Sequence, residues 1–319
     1  MFTIHRVTDF MVLRVLTFAL ASITYANAAE PHHQPLRTMT VYVTVDWEGW
    51  SLEDDNLEEI RAFRQRYPHI PMMQLLNPVY LLRHGVDVAA ERQKIQSTFA
   101  PSDTYGLHVH AWKSLVEHCQ IVYKSTPSFA QQDEACEHGD CGYTVSLEYA
   151  YSQQELKQLL GCSADLLQAQ GFVRPVYFRA GGWQSGKKLK QALHESGFVL
   201  DSSRTDAGLL TTRWAENSAL VQMVKALHPD SSPLDQPFPL TTRMMEYPNN
   251  GSLADYTSAE QLLEIFENLI ANDKSVLVLG FHQETATSFL TNLIEAIPLF
   301  ERSAQAHGIK LRWASEPAD

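Results

Sequence analysis

The chain has 319 residues, of which 45% are hydrophobic and 19% charged, and a formal net charge of −12 at pH 7. That length suits one large α/β domain or two small ones, and the ordinary apolar and charged fractions exclude long disordered stretches. The acidic balance repels nucleic acid phosphates and anionic lipid headgroups, so a neutral or cationic partner is easier to accept.

Met11-Val12-Leu13-Arg14 precedes an apolar run over 15–25, and Ala26-Asn27-Ala28 follows. A basic start, a short apolar stretch and small residues at cleavage spacing predict a signal peptide over residues 1–28, with Met11 the tidier start. The run is shorter than the ~20 apolar residues of a membrane span, so no stable membrane anchor is expected after cleavage. The expected location is secreted or periplasmic. Cleavage would remove Arg6, Asp9 and Arg14 and leave a charge of −13. Residues 29–38 (AEPHHQPLRT) read as a flexible leader, and residues 39–319 as one domain without repeats or linkers.

From residue 39 onward, short apolar strands alternate with amphipathic helices. Strands are expected at 40–46, 72–76, 106–112, 176–180, 198–202, 244–247, 275–282 and 310–313. Helices are expected at 53–66, 87–99, 113–121, 152–170, 186–196, 258–271 and 286–306. The alternation implies a parallel sheet covered by helices, and seven to eight parallel strands would close or nearly close an irregular (β/α) barrel. An open doubly wound sheet is the alternative, but no G-x-G-x-x-G follows the first strand. Residues 122–150 and 204–243 lack strong periodicity and read as long insertions that shape a substrate site.

In a parallel barrel, functional side chains stand at the C-terminal strand ends. The first strand, T-V-Y-V-T-V-D-W-E-G-W, ends in Asp46 and Glu48, two residues apart and therefore on one side. A solvated acid capping the next helix is the plain alternative. The third gives Y-G-L-H-V-H-A-W, with His108 and His110 sharing a face about 6.7 Å apart at ~3.3 Å per residue. Two imidazoles there can converge on one ion, and flanking apolar residues make them hard to bury without a cation. His118, eight residues on, is either a third imidazole or a solvated helix residue.

The fourth strand runs into V-Y-F-R-A-G-G-W, where Arg179 would orient a carboxylate beside a glycine pair that keeps the backbone accessible. F-V-L-D-S-S places Asp201 at the end of the fifth. The apolar run S-V-L-V-L-G-F-H delivers His282, a candidate general acid that needs an Asp partner to hold its tautomer. Trp47, Trp50, Trp112 and Trp183 lie beside these positions, either as sugar-stacking faces or as core.

Export makes the four cysteines readable as disulfides, and 136–141 with 119–162 is the expected pairing among three. A zinc site using Cys136, Cys141 and His138 is the rival, with too few donors for a tetrahedral ion.

Together these motifs resemble the polysaccharide deacetylase family (the NodB homology domain) over roughly residues 39–316. T-V-D-W-E-G-W stands where that family has T-F-D-D-G, H-V-H where it has H-[ST]-x-x-H, and R-A-G where it has an R-x-P-type motif. Asp201 in D-S-S is similar to the fourth motif and His282 in L-V-L-G-F-H to the fifth. The resemblance implies a metal-dependent hydrolase removing N-acetyl groups from the amino sugars of a glycan by metal-activated water. Glu48, His108 and His110 would hold a divalent ion, zinc by first choice. Asp46, steered by Arg179, would be the base, and His282, supported by Asp201, would protonate the departing amine. The change from adjacent Asp-Asp to Asp-x-Glu leaves open an exchange of roles between Asp46 and Glu48. Three alternatives stand beside this one: a hydrolase of another amide or ester, a non-catalytic carbohydrate-binding protein, and an iron oxygenase with a two-His, one-carboxylate triad.

Overall fold

A computed structural model describes residues 37–130, 136–137 and 139–317. The expected signal peptide, most of the expected leader and His138 lie outside these residues. The elements, in order, are β1 (Thr38–Asp46), α1 (Asp54–Arg66), β2 (Met72–Leu76), α2 (Val88–Gln96), β3 (Thr104–Val109), α3 (Lys113–His118), β4 (Cys136–Glu137) and β5 (Asp140–Cys141). Then come α4 (Leu147–Ala150), α5 (Gln153–Ala169), β6 (Tyr177–Ala180), α6 (Lys187–Glu195), β7 (Leu200–Asp201), α7 (Ala219–Leu227), β8 (Phe238–Pro239) and β9 (Met245–Glu246). The last are α8 (Ala259–Ala271), β10 (Val276–His282), α9 (Ala286–Ala306) and β11 (Lys310–Ala314).

Local chemistry sets the helix starts. Ser152 with Glu155 and Ser258 with Gln261 form capping boxes at α5 and α8, satisfying orphan amides at each N-terminus. Asp87 accepts from the amides of Ala89 and Ala90 at the start of α2. Among the described residues no helix is long and apolar enough to cross a membrane.

The sheet runs β10-β1-β2-β3-β6-β7-β9-β8, with β11 also on β1. Every pairing is parallel except β8 with β9. β1 is the hub: β10 follows it from Thr40 to Asp46, while β11 takes residues 38–42 and β2 residues 43–46 on its other edge. All eight expected parallel strands are present, and the doubly wound alternative falls away. The sheet curls into an irregular barrel whose seam is not a ladder of two strands. Instead, residues 249–254 lie along β10: the Gly251 amide donates to Val278 O at 2.9 Å and the Ala254 amide to Gly280 O at 2.8 Å. The Asn249 and Asn250 side chains bond the β10 backbone as well.

Two-residue alternation sorts the strands. Val41, Val43, Val45, Leu107, Val109, Phe178, Leu277, Leu279 and Phe281 are buried in the core beneath the helices. The alternate positions face the barrel interior, apolar lower down where Met73, Leu75 and Leu200 pack, and polar at the C-terminal ends. β3 stops at Val109, so His110 stands one residue beyond the ladder instead of within the expected strand.

Both insertions carry structure that their weak periodicity hid. Residues 122–150 include the β4–β5 hairpin, closed by the Cys136–Cys141 disulfide, and the short α4. Cys119–Cys162 joins the end of α3 to α5, so the expected pairing stands and the cysteine zinc site does not. Residues 204–243 contain α7, whose Leu220, Val221 and Val224 pack against Phe129, Trp183 and Leu210.

Candidate active site

Four strands bring their ends to one buried cluster. Asp46 and His282 are register partners on β1 and β10, and His108 pairs with Arg179 across β3 and β6. Asp46, Glu48, His108, His110 and Arg179 are at most 4% exposed.

Glu48 is the centre. Its Oε1 lies 3.2 Å from His108 Nε2 and 3.1 Å from His282 Nε2, and its Oε2 lies 2.6 Å from His110 Nε2. The two imidazole Nε2 atoms face each other at 3.1 Å. Both Nδ1 atoms are committed elsewhere, His108 to Arg179 O at 3.1 Å and His110 to Tyr143 O at 2.6 Å. Carbonyl oxygens only accept, so each Nδ1 carries a proton, and in the neutral ring each Nε2 presents its lone pair to the other and to Glu48. At most one proton fits between the two nitrogens, whereas a cation serves both.

The charge balance agrees. Burial alone would raise the Glu48 carboxyl, but His110, His282 and His108 outweigh it and hold it well below its usual range. Burial would lower His108, and the Glu48 and Asp46 carboxylates outweigh that to raise it. The cluster therefore draws positive charge into a buried volume. Glu48 Oε2 has no hydrogen-bond partner among the described residues. Two nitrogens and one carboxylate, each imidazole fixed through its second nitrogen by a carbonyl, fit a divalent ion of the zinc class. Gly181 of the R-A-G-G run is needed for this: a Cβ there would sit 2.5 Å from the His110 ring.

Asp46 is held apart from the imidazoles by Arg179, whose Nη1 donates to Asp46 Oδ1 at 2.8 Å and to Thr44 Oγ1 at 2.7 Å. The guanidinium is itself fixed by Ser202, through the carbonyl and hydroxyl oxygens at 2.9 and 2.8 Å. A ligand atom of Asp46 still lies within 4.8 Å of those of Glu48 and His282.

The expected support of His282 by Asp201 is corrected. His282 Nδ1 lies 3.1 Å from Asp255 Oδ1, and the His282 amide reaches the other oxygen at 3.4 Å. Burial would lower the His282 imidazole, but Asp255 and Glu48 raise it well above its ordinary value. Asp201 faces the opposite way because Leu200 occupies the interior and the next residue must point out. There it accepts from Ser185 Oγ at 2.7 Å and from Ser203, beside buried Glu246 and its half-buried partner Lys190. Burial and the Asp201 charge push Glu246 up to about 8.

A cleft of about 420 Å³ opens over Glu48 and His282, lined by Trp50, Tyr143, Arg213, Trp214 and Tyr256 among others. Of the four tryptophans flagged by sequence, only Trp50 lines it. Trp47, Trp112 and Trp183 are core residues whose indole N–H groups donate to Gln74, to Glu48 O and to Asn249. His118 is exposed at the end of α3. Sequence reasoning missed Asp255, Tyr143 and Trp214, which come from the seam and the two insertions. Tyr143 stacks on His110 at 4.1 Å, and burial and the Glu48 charge raise its phenol well above the usual value.

No family model and no curated protein matches the sequence. Solved structures do align with it. A Mycobacterium smegmatis protein described as a polysaccharide deacetylase aligns with 13% identity, covering 87% of each chain, at a TM-score of 0.48. The likeness is one of fold. A family 4 carbohydrate esterase from Streptomyces lividans, in complex with acetate, shares 10% identity over 87% of this chain and 92% of that one, at 0.38. A family 4 acetyl xylan esterase from Clostridium thermocellum, in complex with a cobalt ion, shares 11% identity over 85% and 86%, at 0.39.

Proposed function

We propose that this protein is an exported, divalent-metal-dependent hydrolase that removes N-acetyl groups from the amino sugars of a glycan. The observation that carries the reading is the meeting of Glu48, His108 and His110 with both imidazole Nδ1 atoms tied to carbonyls. Zinc is the favoured ion, because this donor set suits a Lewis acid without redox chemistry. Bound there, a divalent ion would polarise the acyl carbonyl and acidify water.

The chain's own residues supply the proton traffic. Asp46, oriented by Arg179, accepts the proton of the attacking water. His282 presents Nε2 to the cleft side, and Asp255 fixes its tautomer and favours its protonated form, so it donates to the departing nitrogen. Trp50, Trp214 and Tyr256 offer flat faces for a sugar ring. Export directed by the signal peptide would place the enzyme outside the cytoplasm, where two disulfides persist.

The test is acetate release from a panel of N-acetylated glycans by zinc-loaded protein. Asp46→Asn is expected to lower turnover at least ~10²-fold with metal content unchanged. Parent-level turnover in that variant would put the base elsewhere.

A further inference from the structure

We propose that Glu284, tied by Tyr80, is a positioning residue that clamps the backbone of residues 48–50 and so holds Glu48 in ligating geometry beside His282. The inference rests on the reading of Glu48, His108 and His110 as metal ligands.

Glu284 follows His282 by two residues, in the turn that leaves β10. Its half-buried carboxylate accepts three consecutive amides: Glu48 N at 3.2 Å, Gly49 N at 3.0 Å and Trp50 N at 3.1 Å. Three successive N–H groups turned to one point form an anion-binding concavity, here filled by the protein's own acid. The turn requires Gly49, at φ 89°, since a Cβ would come within 2.3 Å of Val79 Cγ1 and 2.9 Å of Trp112 Nε1. The Tyr80 hydroxyl donates to the same Glu284 carboxylate.

The other side of the loop is held as firmly. Glu48 O accepts from Asn77 Nδ2 at 3.1 Å and Trp112 Nε1 at 2.8 Å, and Gly49 O accepts from Arg83. Both peptide groups of Glu48 are thus fixed, and only its side-chain torsions remain for the imidazoles to set. Because Glu284 sits at the end of β10, the clamp also fixes the gap between Glu48 and His282. Asp46, two residues before Glu48, needs no such help, since the β1–β10 ladder reaches it.

A positioning role differs from a merely structural one in what it moves. A structural residue lowers the melting temperature and leaves the metal affinity of the folded protein alone. Zinc affinity is therefore measured by competition with a chromogenic chelator on folded parent, Glu284→Ala, Glu284→Gln and Tyr80→Phe, with near-ultraviolet circular dichroism reporting the fold. Glu284→Ala is expected to bind zinc about 10- to 100-fold more weakly, the range for outer partners of a metal site. Glu284→Gln, which keeps one acceptor oxygen, falls between it and the parent, and Tyr80→Phe loses less than about tenfold. Parent-level affinity in folded Glu284→Ala overturns the clamp. If that variant does not fold, parent-level affinity in both Glu284→Gln and Tyr80→Phe overturns it equally. A parent that binds no zinc overturns the metal reading and the clamp together, while a zinc-binding parent beside unaffected variants overturns the clamp alone.

Discussion

Two buried aspartates compete for the role of partner to His282, and geometry separates them. Asp255 holds Nδ1 at 3.1 Å, whereas Asp201 gives its oxygens to Ser185 and Ser203 on the far side of the sheet. Asp255→Asn removes the charge that favours protonated His282 and admits the wrong tautomer. Its kcat/KM for acetate release is expected to fall about 10²-fold or more, with zinc content unchanged. Asp201→Asn is expected to leave kcat/KM near the parent value, since it changes only a cluster outside the barrel. Parent-level kcat/KM in Asp255→Asn would mean that the His282–Asp255 contact has no catalytic weight.

At the scale of elements, what the sequence disclosed follows from periodicity. β1, β3, β6 and β10 are regular enough that alternation assigns Asp46, His108, Arg179 and His282 to one side, and all four meet. Alternation failed where an element is too short to carry a phase. β7 has two residues, so nothing local to D-S-S shows that Leu200 points in and Asp201 out. Asp255 was invisible for a related reason: it belongs to the irregular seam along β10, which has no strand pattern. α7 is nine residues held mainly by tertiary packing, and its pattern did not stand out from the insertion around it.

The end of that helix yields a pH prediction. His228 caps α7, is 2% exposed, and its Nε2 lies 3.1 Å from Trp183 O. Burial, with the nearby Lys190 charge, pushes its imidazole down to about 4 from an ordinary value of 6.5. Between those two values the unfolded chain binds a proton that the folded chain refuses. This contribution is therefore fully present above pH 6.5 and is lost as pH falls towards 4, by up to about 3 kcal/mol. Urea unfolding of parent and His228→Gln over that range should show a shallower pH slope in the variant. An unchanged slope would show that His228 titrates normally.

Across the whole molecule, the acidic surface and the acidic site have different consequences. The net charge of −12 is spread over a long chain and bears on which partners approach. The site concentrates Asp46, Glu48 and Asp255 in a barrel mouth with one fully buried guanidinium, Arg179. The barrel makes that concentration possible, because strands distant in sequence end side by side around one interior. Without an ion, three imidazole Nε2 atoms crowd the Glu48 carboxylate, with at most one proton between those of His108 and His110. A bound ion would take Glu48, His108 and His110 as ligands and leave His282 beside them. Metal content measured by plasma mass spectrometry on purified mature protein decides between these states. The parent is expected to carry about one zinc-class ion per chain, and the His108→Ala/His110→Ala variant none. A metal-free parent after zinc loading, or a variant that keeps its metal, would contradict the account.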